Sequence, residues 1–306
     1  MKTEPVFSKK QKNITYGLMT FLVIAWGFDY VVCKFALQAF PPMTLLFVKY
    51  AIGLVVMLMV KMKVDRKTIV RLKDVPIFVF CAIFGQILYF FCEYTAMSYM
   101  PVSLVSIMLA FVPVVSIITE RILYKKRTNK LTIIGVLVCI FGVALIIGVD
   151  FDILFQGRII GYILTFIAVL SWNGYNFLTA TLSDRYSSIT LTCTQLICTI
   201  LLTFPYAVNN MPSIDVFTPG LIGGIIYLGI VNAGIGFLIS VRGIQVLGPT
   251  AVALFSNFLP ITTAFFGWLC LKETISGLQI IGGLVVICAG FIVIREKGKM
   301  EDQSND

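Results

Sequence analysis

Residues 14–37, ITYGLMTFLVIAWGFDYVVCKFAL, and residues 159–182, IIGYILTFIAVLSWNGYNFLTATL, read as two copies of one segment. Each is long enough to supply the ~20 apolar residues that cross a ~30 Å hydrocarbon layer. Trp26 of the first falls on Trp172 of the second, and the match extends outward in order. Pro42 meets Ser188, Pro113 meets Pro260 and Gly135 meets Gly282, at an offset of about 147 residues. Each half holds five apolar segments. An odd number of spans forces the second copy to enter the membrane from the opposite side, which is the inverted-repeat architecture whose halves rock about a shared midplane site.

The ten expected spans are 14–37, 44–60, 75–98, 103–124, 131–149, 159–182, 190–208, 220–246, 250–271 and 276–294. The reading is therefore an all-α integral membrane fold: ten transmembrane helices as two inverted five-helix repeats around a central cavity. The first repeat covers 14–149 and the second 157–294, and residues 295–306 form a short polar cytoplasmic tail. With 58% hydrophobic and 13% charged residues, an ordinary soluble domain is excluded. The first apolar segment follows Lys9, Lys10 and Lys12 as a leader would. It is too long for one and no small-x-small site follows it, so it is expected to be a span.

The net charge of +9 suggests a nucleic-acid partner only until its distribution is read. Nineteen of the 24 Lys and Arg residues fall on one side of the membrane: in the N-terminal arm, loop 61–73, loop 121–130, Arg185 and the C-terminal tail. Basic loops stay cytoplasmic, so both termini are expected inside, in a multi-pass protein of the cell membrane. No nucleic-acid partner follows. The eight Cys lie in apolar spans without a C-x-x-C pair and there is no His, so no metal site, disulfide framework or cofactor is expected. No P-loop motif is present to drive transport with ATP.

Ionisable groups inside a bilayer cost several kcal/mol and call for a partner or a purpose. The first half carries four: Asp29, Lys34, Lys49 and Glu93. From the helical rise, Asp29 and Lys49 reach similar depth, and Lys34 and Glu93 lie nearer the outer edge. The economical pairing is Asp29 with Lys49 and Glu93 with Lys34, either as fixed ion pairs or with one carboxylate titrating as access alternates. Gln86, Tyr89, Phe90, Glu93 and Met97 follow helical spacing along one stripe, as do Trp26, Asp29, Tyr30 and Cys33. A carboxylate beside aromatic rings, twice over, suits a cation, and ordinary packing of the rings suits the same spacing.

The second half answers with neutral groups: Trp172, Tyr175, Asn176, Asn232 and Asn257. Tyr175 matches Asp29, and Gln195 matches Lys49. A site between the halves has one charged wall and one amide-hydroxyl wall. The candidate substrate-binding residues are thus Trp26, Asp29, Tyr30, Tyr89, Glu93, Trp172, Tyr175, Asn176, Asn232 and Asn257. Pro113 and Pro260 are expected to kink their spans, and glycines such as Gly229, Gly142, Gly282 and Gly290 to allow close helix contact or a dimer face.

Trp26-Gly27, Pro113 and Leu271-Lys272-Glu273 followed by Gln279 and Gly282 resemble the EamA repeat of the drug/metabolite transporter superfamily. The resemblance covers nearly the whole chain, once per half. It implies a ten-span carrier with cytoplasmic termini that moves amino acids, other small metabolites or drugs, as exchanger, proton-linked carrier or facilitator. The chain departs from the pattern at Lys126, where the first repeat's Glu is expected, and at Asp29 and Lys49, where relatives often have Asn and Arg.

The functional expectation is a secondary transporter, not an enzyme, for small polar metabolites such as amino acids or amine-containing drugs. It is expected to work in efflux by alternating access, with protons as a candidate coupling ion, as a monomer or homodimer. The alternatives are a sugar-phosphate or nucleotide-sugar carrier and a membrane-embedded lipid-modifying enzyme.

Overall fold

The structure is a computed structural model that describes residues 7–66, 68–124, 130–147, 159–273, 276–289 and 292. The boundaries expected at 149, 157 and 294, the tail 295–306, Lys126 and Gly290 lie outside the described residues. Among those described, every regular element is helical.

Helix α1 (Lys9–Ala36) starts in a capping box: the Ser8 hydroxyl accepts from the Gln11 N–H, and the Gln11 side chain accepts from the Ser8 N–H. It is followed by α2 (Pro42–Val64), α3 (Leu72–Ala96), α4 (Val102–Leu123), α5 (Lys130–Ile147), α6 (Ile159–Leu182), α7 (Ser188–Asn209) and α8 (Pro219–Leu247). Helix α9 is pieced together from Pro249–Phe255, a 3-10 turn Ser256–Phe258, Leu259–Phe266 and a π turn Gly267–Leu271. Helix α10 covers Gly277–Ala289. Seven of these helices, α1 to α4 and α6 to α8, are individually long and apolar enough to cross a membrane.

The breaks repeat between the halves. Helix α4 stops at Leu109 and resumes at Val112, just ahead of Pro113. Helix α9 loosens to a 3-10 turn at Ser256–Phe258, just ahead of Pro260. Proline lacks an N–H and its ring clashes with the carbonyl four residues back, which is Leu109 in one copy and Ser256 in the other. Helices α3 and α8 each contain a π-helical stretch at matching places, Ile83–Leu88 and Leu228–Gly236. Periodicity in the sequence does not anticipate either, because a π turn inserts its extra residue without changing the apolar composition.

The halves interlock. Helix α1 packs on α8 and α9, α2 on α7 and α8, and α6 on α3 and α4. Trp26 and Trp172, matched by the repeat, meet edge to face with ring centroids 5.6 Å apart. Glycine permits the closest crossing: a Cβ at Gly53 would sit 2.9 Å from the Gly229 carbonyl, and one at Gly229 would sit 2.5 Å from Ile52 Cβ. Helix α5 meets α10 where a Cβ at Gly142 would lie 2.9 Å from the Gly282 carbonyl, so Gly282 serves a contact within the chain.

Large apolar side chains such as Phe21, Leu137, Leu201 and Trp268 are exposed on the perimeter, while Thr, Ser, Asn, Gln and charged side chains are buried. That partition suits a hydrocarbon solvent. A cleft of about 210 Å³ between α1 and α9 is lined by Thr20, Val23, Ile24, Phe255, Phe258, Ile261 and Thr262.

Candidate functional site

Where α1, α2 and α8 cross, Asn232 stands between Asp29 and Lys49. Its Nδ2 donates to Asp29 Oδ2, and its Oδ1 accepts from Lys49 Nζ at 3.2 Å. Lys49 also donates to the Tyr94 hydroxyl at 2.7 Å. The ammonium lies 3.5 Å from the centroid of the Phe90 ring, with the Tyr50 and Tyr94 rings at 4.9 and 5.0 Å. Such desolvated cation–π contacts reach about 2 kcal/mol. Cys33 Sγ donates to the Tyr94 hydroxyl at 3.1 Å.

One turn of α3 away, Glu93 Oε1 accepts from Tyr30 at 2.6 Å and from Tyr89 at 2.7 Å. Hydrogen bonds to a charged group contribute ~1.5–3 kcal/mol each and substitute for hydration. Asp29, Lys49 and Glu93 are 5%, 0% and 3% exposed, so the centre is closed to solvent.

The expected ion pairs are corrected by this geometry. No ion pair joins Asp29 to Lys49 or Glu93 to Lys34 among the described residues. Asn232 is short enough to fit between α1 and α2 and bonds both charged groups at once. Lys34 Nζ donates instead to the Met97 carbonyl at 2.6 Å, at the C-terminal end of α3. Carbonyls left unpaired at a helix C-terminus attract a cation, and the two tyrosines already satisfy Glu93. The stripe on α3 is also corrected. The π turn re-phases the helix, so Gln86 faces α7 while Tyr89 and Glu93 face α1.

Gln86 belongs to a second cluster where α6, α7 and α3 cross. Tyr175 OH donates to Gln195 Oε1 at 3.2 Å, Gln195 Nε2 donates to Thr179 Oγ1 at 3.2 Å, and Thr199 Oγ1 donates to Gln86 Oε1. Counting through the repeat, Tyr175 matches Asp29, Gln195 matches Lys49 and Gln86 matches Asn232. Matching positions are thus charged and bridged by an amide in one place, and neutral and bonded directly to each other in the other, where Gln86 meets Thr199 instead. Between the two lies an aromatic group: Trp172 contacts Tyr89 at 4.9 Å and Tyr175 at 5.0 Å, and Phe237 contacts Tyr50, Trp172 and Tyr175.

Asp29 Oδ1, Trp26 Nε1, Tyr50 OH and both amide atoms of Asn176 are buried polar atoms without a hydrogen-bond partner, as are Gln86 Nε2 in the second cluster and the Ser240 and Thr263 hydroxyls. Buried polar groups are almost always paired in native structures, and orphans gathered at the crossing of two repeats suit a ligand. The structure thus brings Trp26, Asp29, Tyr30, Tyr89, Glu93, Trp172, Tyr175 and Asn232 into one continuous cluster, with Asn176 one turn from Trp172 on α6. Asn257 lies on the 3-10 turn of α9, and its side chain is outside those described. Lys34 stands apart. Sequence reasoning overlooked Tyr50 and Tyr94, which with Phe90 wall Lys49, and Phe237 packed behind Tyr50 and Phe90. The signal was present in the adjacent pairs Lys49-Tyr50 and Glu93-Tyr94.

Clasps close both ends. On the side of the basic loops, Asp65 accepts from Ser187, Thr190 and Thr68, Lys61 donates to Thr190 at 3.0 Å, and Asp74 pairs with Arg185 and Tyr186. The Ser187, Thr190 and Thr68 hydroxyls hold the Asp65 carboxyl down at about 2. At the opposite end, Glu273 caps the start of α4, accepting from the Val102 N–H at 3.1 Å and from the Ser103 hydroxyl at 2.9 Å.

Residues 13–148 and 159–295 each match the EamA-like transporter family. The chain belongs to that family. It is similar to two uncharacterised transporters of Bacillus subtilis. YoaV is 20% identical over 92% of this chain and 96% of its own length, and YvbV is 23% identical over 95% and 94%. Protein PecM of Dickeya dadantii is 26% identical over 35% of this chain and 36% of its own. A crystal structure 16% identical in sequence superposes with a TM-score of 0.68, covering 92% of this chain and 98% of that one, which shows the shared fold. The EamA-like chain is accordingly a multi-pass membrane transporter of the drug/metabolite transporter superfamily, acting on a small molecule across a lipid bilayer.

Proposed function

We propose that this EamA-like protein is a proton-coupled secondary transporter of small amine-bearing polar metabolites, amino acids among them. In this reading it exports across the plasma membrane by alternating access, with both termini cytoplasmic. The repeats 14–149 and 157–294 are the two moving halves, and the ligand sits between Trp26, Asp29, Tyr30, Tyr89 and Glu93 on one wall and Trp172, Tyr175, Asn176 and Asn232 on the other. The observation that carries the reading is the centre's unfinished hydrogen bonding. Asp29 Oδ1 and Trp26 Nε1 lie one helical turn apart, buried and unpartnered, in a centre that holds two carboxylates and one lysine. An ammonium group fits the open carboxylate oxygen, and a proton is the alternative occupant of that oxygen, so amine and proton exchange there.

The sugar-phosphate reading is disfavoured by the lysines. Lys49 uses its N–H groups on Tyr94 and Asn232 and sits over Phe90, and Lys34 is engaged by Met97. Lys49 is therefore committed within the centre, and Lys34 lies apart from it.

The test is transport in proteoliposomes with an imposed pH gradient. Asp29→Asn and Glu93→Gln are each expected to abolish proton-driven accumulation of an amine substrate while leaving exchange of substrate for substrate. Undiminished uphill transport by both variants would remove the carboxylates from the coupling step.

A further inference from the structure

We propose that Lys49 sets the valence of the central site: its tethered ammonium cancels one of two buried carboxylates, so the site takes a monocation and refuses a dication. The inference rests on the amine reading above and narrows it to a charge class.

Three ionisable side chains, Asp29, Glu93 and Lys49, are buried in one cluster, and their formal sum is one negative charge. An uncompensated charge at this depth is strongly unfavourable, so the loaded centre gains most from a single added positive charge. Lys49 does not spend itself as a close ion pair. It is held through Asn232 and Tyr94, which leaves Asp29 Oδ1 open to a second cation. It also fills the aromatic box of Phe90, Tyr50 and Tyr94. A ligand ammonium is thereby directed to Asp29 and the Trp26 side of the centre, and a second ammonium on the same ligand finds the aromatic box filled and carries the centre past neutrality to an uncompensated positive charge. The equivalent joint in the other half shows what removing the charge leaves: Gln195 occupies the matching place, fully buried and hydrogen-bonded. Lys49→Gln therefore turns a one-charge deficit into two without introducing a foreign shape.

The experiment measures binding to the purified full-length protein in detergent by ligand-induced shift of thermal unfolding. The probes are paired by carbon skeleton: n-butylamine with 1,4-diaminobutane, and norleucinamide with lysinamide. Wild type is expected to favour the monocation of each pair by at least about tenfold in affinity, and Lys49→Gln to reverse the preference by a similar factor. The double variant Asp29→Asn/Lys49→Gln restores a single negative charge and is expected to return to monocations, which keeps the test decisive if Lys49→Gln alone does not fold. Asp29→Asn alone, with no net charge, is expected to bind the monocations about tenfold more weakly than wild type, while still exchanging amine for amine at saturating concentration. Wild-type binding of monocations with an unchanged preference in Lys49→Gln, or dication preference in the double variant, overturns the valence role and leaves the transport reading standing. Failure of wild type to respond to any of the four amines overturns the amine reading itself, and this inference with it.

Discussion

Asp29, Lys49 and Asn232 meet where α1, α2 and α8 cross, and Tyr175, Gln195 and Gln86 meet where α6, α7 and α3 cross. Each joint takes two residues from the first pair of helices of its own half and an amide from the other half. Each amide rides on a π-helical turn at the same place in its repeat. The helix crossing and its π turn are therefore properties of the repeat, which duplication supplies twice, while the hydrogen bonds made there differ. The charge is a property of two side chains and is supplied once. One joint thus carries buried charge and the other does not, so the asymmetry of their chemistry lies in the residues and not in the backbone.

The sharpest way to break this comparison is to place a lysine in the neutral joint. Gln195→Lys puts an ammonium where the partners are Tyr175 and Thr179 and no carboxylate answers it. The expected loss is about 3–5 kcal/mol, seen as collapse of the monodisperse peak in size-exclusion chromatography. Adding Tyr175→Asp should recover part of it, and a Gln195→Lys protein that unfolds at the wild-type temperature would mean the joints are not equivalent.

A smaller contrast comes from removing the amide on each side. Asn232→Leu leaves both Asp29 and Lys49 short of a partner and is expected to lose about 3 kcal/mol. Gln86→Leu leaves Thr199 still bonded to the Gln195 carbonyl and should lose about 1 kcal/mol. Equal shifts in thermal unfolding for the two variants would count against a division into charged and neutral joints.

The crossing that delivers Asn232 to Lys49 can be tested without touching either. Gly229→Ala drives a methyl against Ile52 and is expected to lose about 1–3 kcal/mol through overpacking. It should also weaken amine binding, since α8 carries Asn232 away from α2. Normal binding with lowered stability would separate packing from site geometry.

The smallest effect is expected outside both joints. Asp65 has its carboxyl held at about 2 by hydroxyl hydrogen bonds, below the ordinary value near 3.9. A depressed folded-state value gives stability that is fully present above about pH 4 and lost as pH falls from about 4 toward 2. Asp65→Asn should flatten that acid limb of the unfolding temperature and leave the neutral range almost unchanged.

Much of the fold is legible in the sequence because its signals are one-dimensional. Apolar runs of span length, the Trp26/Trp172 register, Pro113 and Pro260, and the one-sided Lys and Arg distribution need no partner to be read. The residues of the site were legible as a set for the same reason: charge inside an apolar run is conspicuous. Their pairing was not. Depth along a helix places Asp29 level with Lys49, but it says nothing of which side chain from the other half fills the gap. It also gives no sign that a π turn re-phases α3 and sends Gln86 to the opposite joint. The tyrosines that satisfy Glu93 sit at ordinary helical spacing and read equally well as packing.

By itself, then, the sequence determined that this chain is a duplicated set of membrane helices with a charged half and a neutral half. Composition and periodicity respond to the bilayer, and the bilayer acts on each span separately. Which groups meet was decided only by the tertiary structure. Hydrogen bonds of about 3 Å require helices from different halves to approach within the reach of one amide, and that approach depends on glycine contacts and helix breaks whose effect exists only once all the helices are packed.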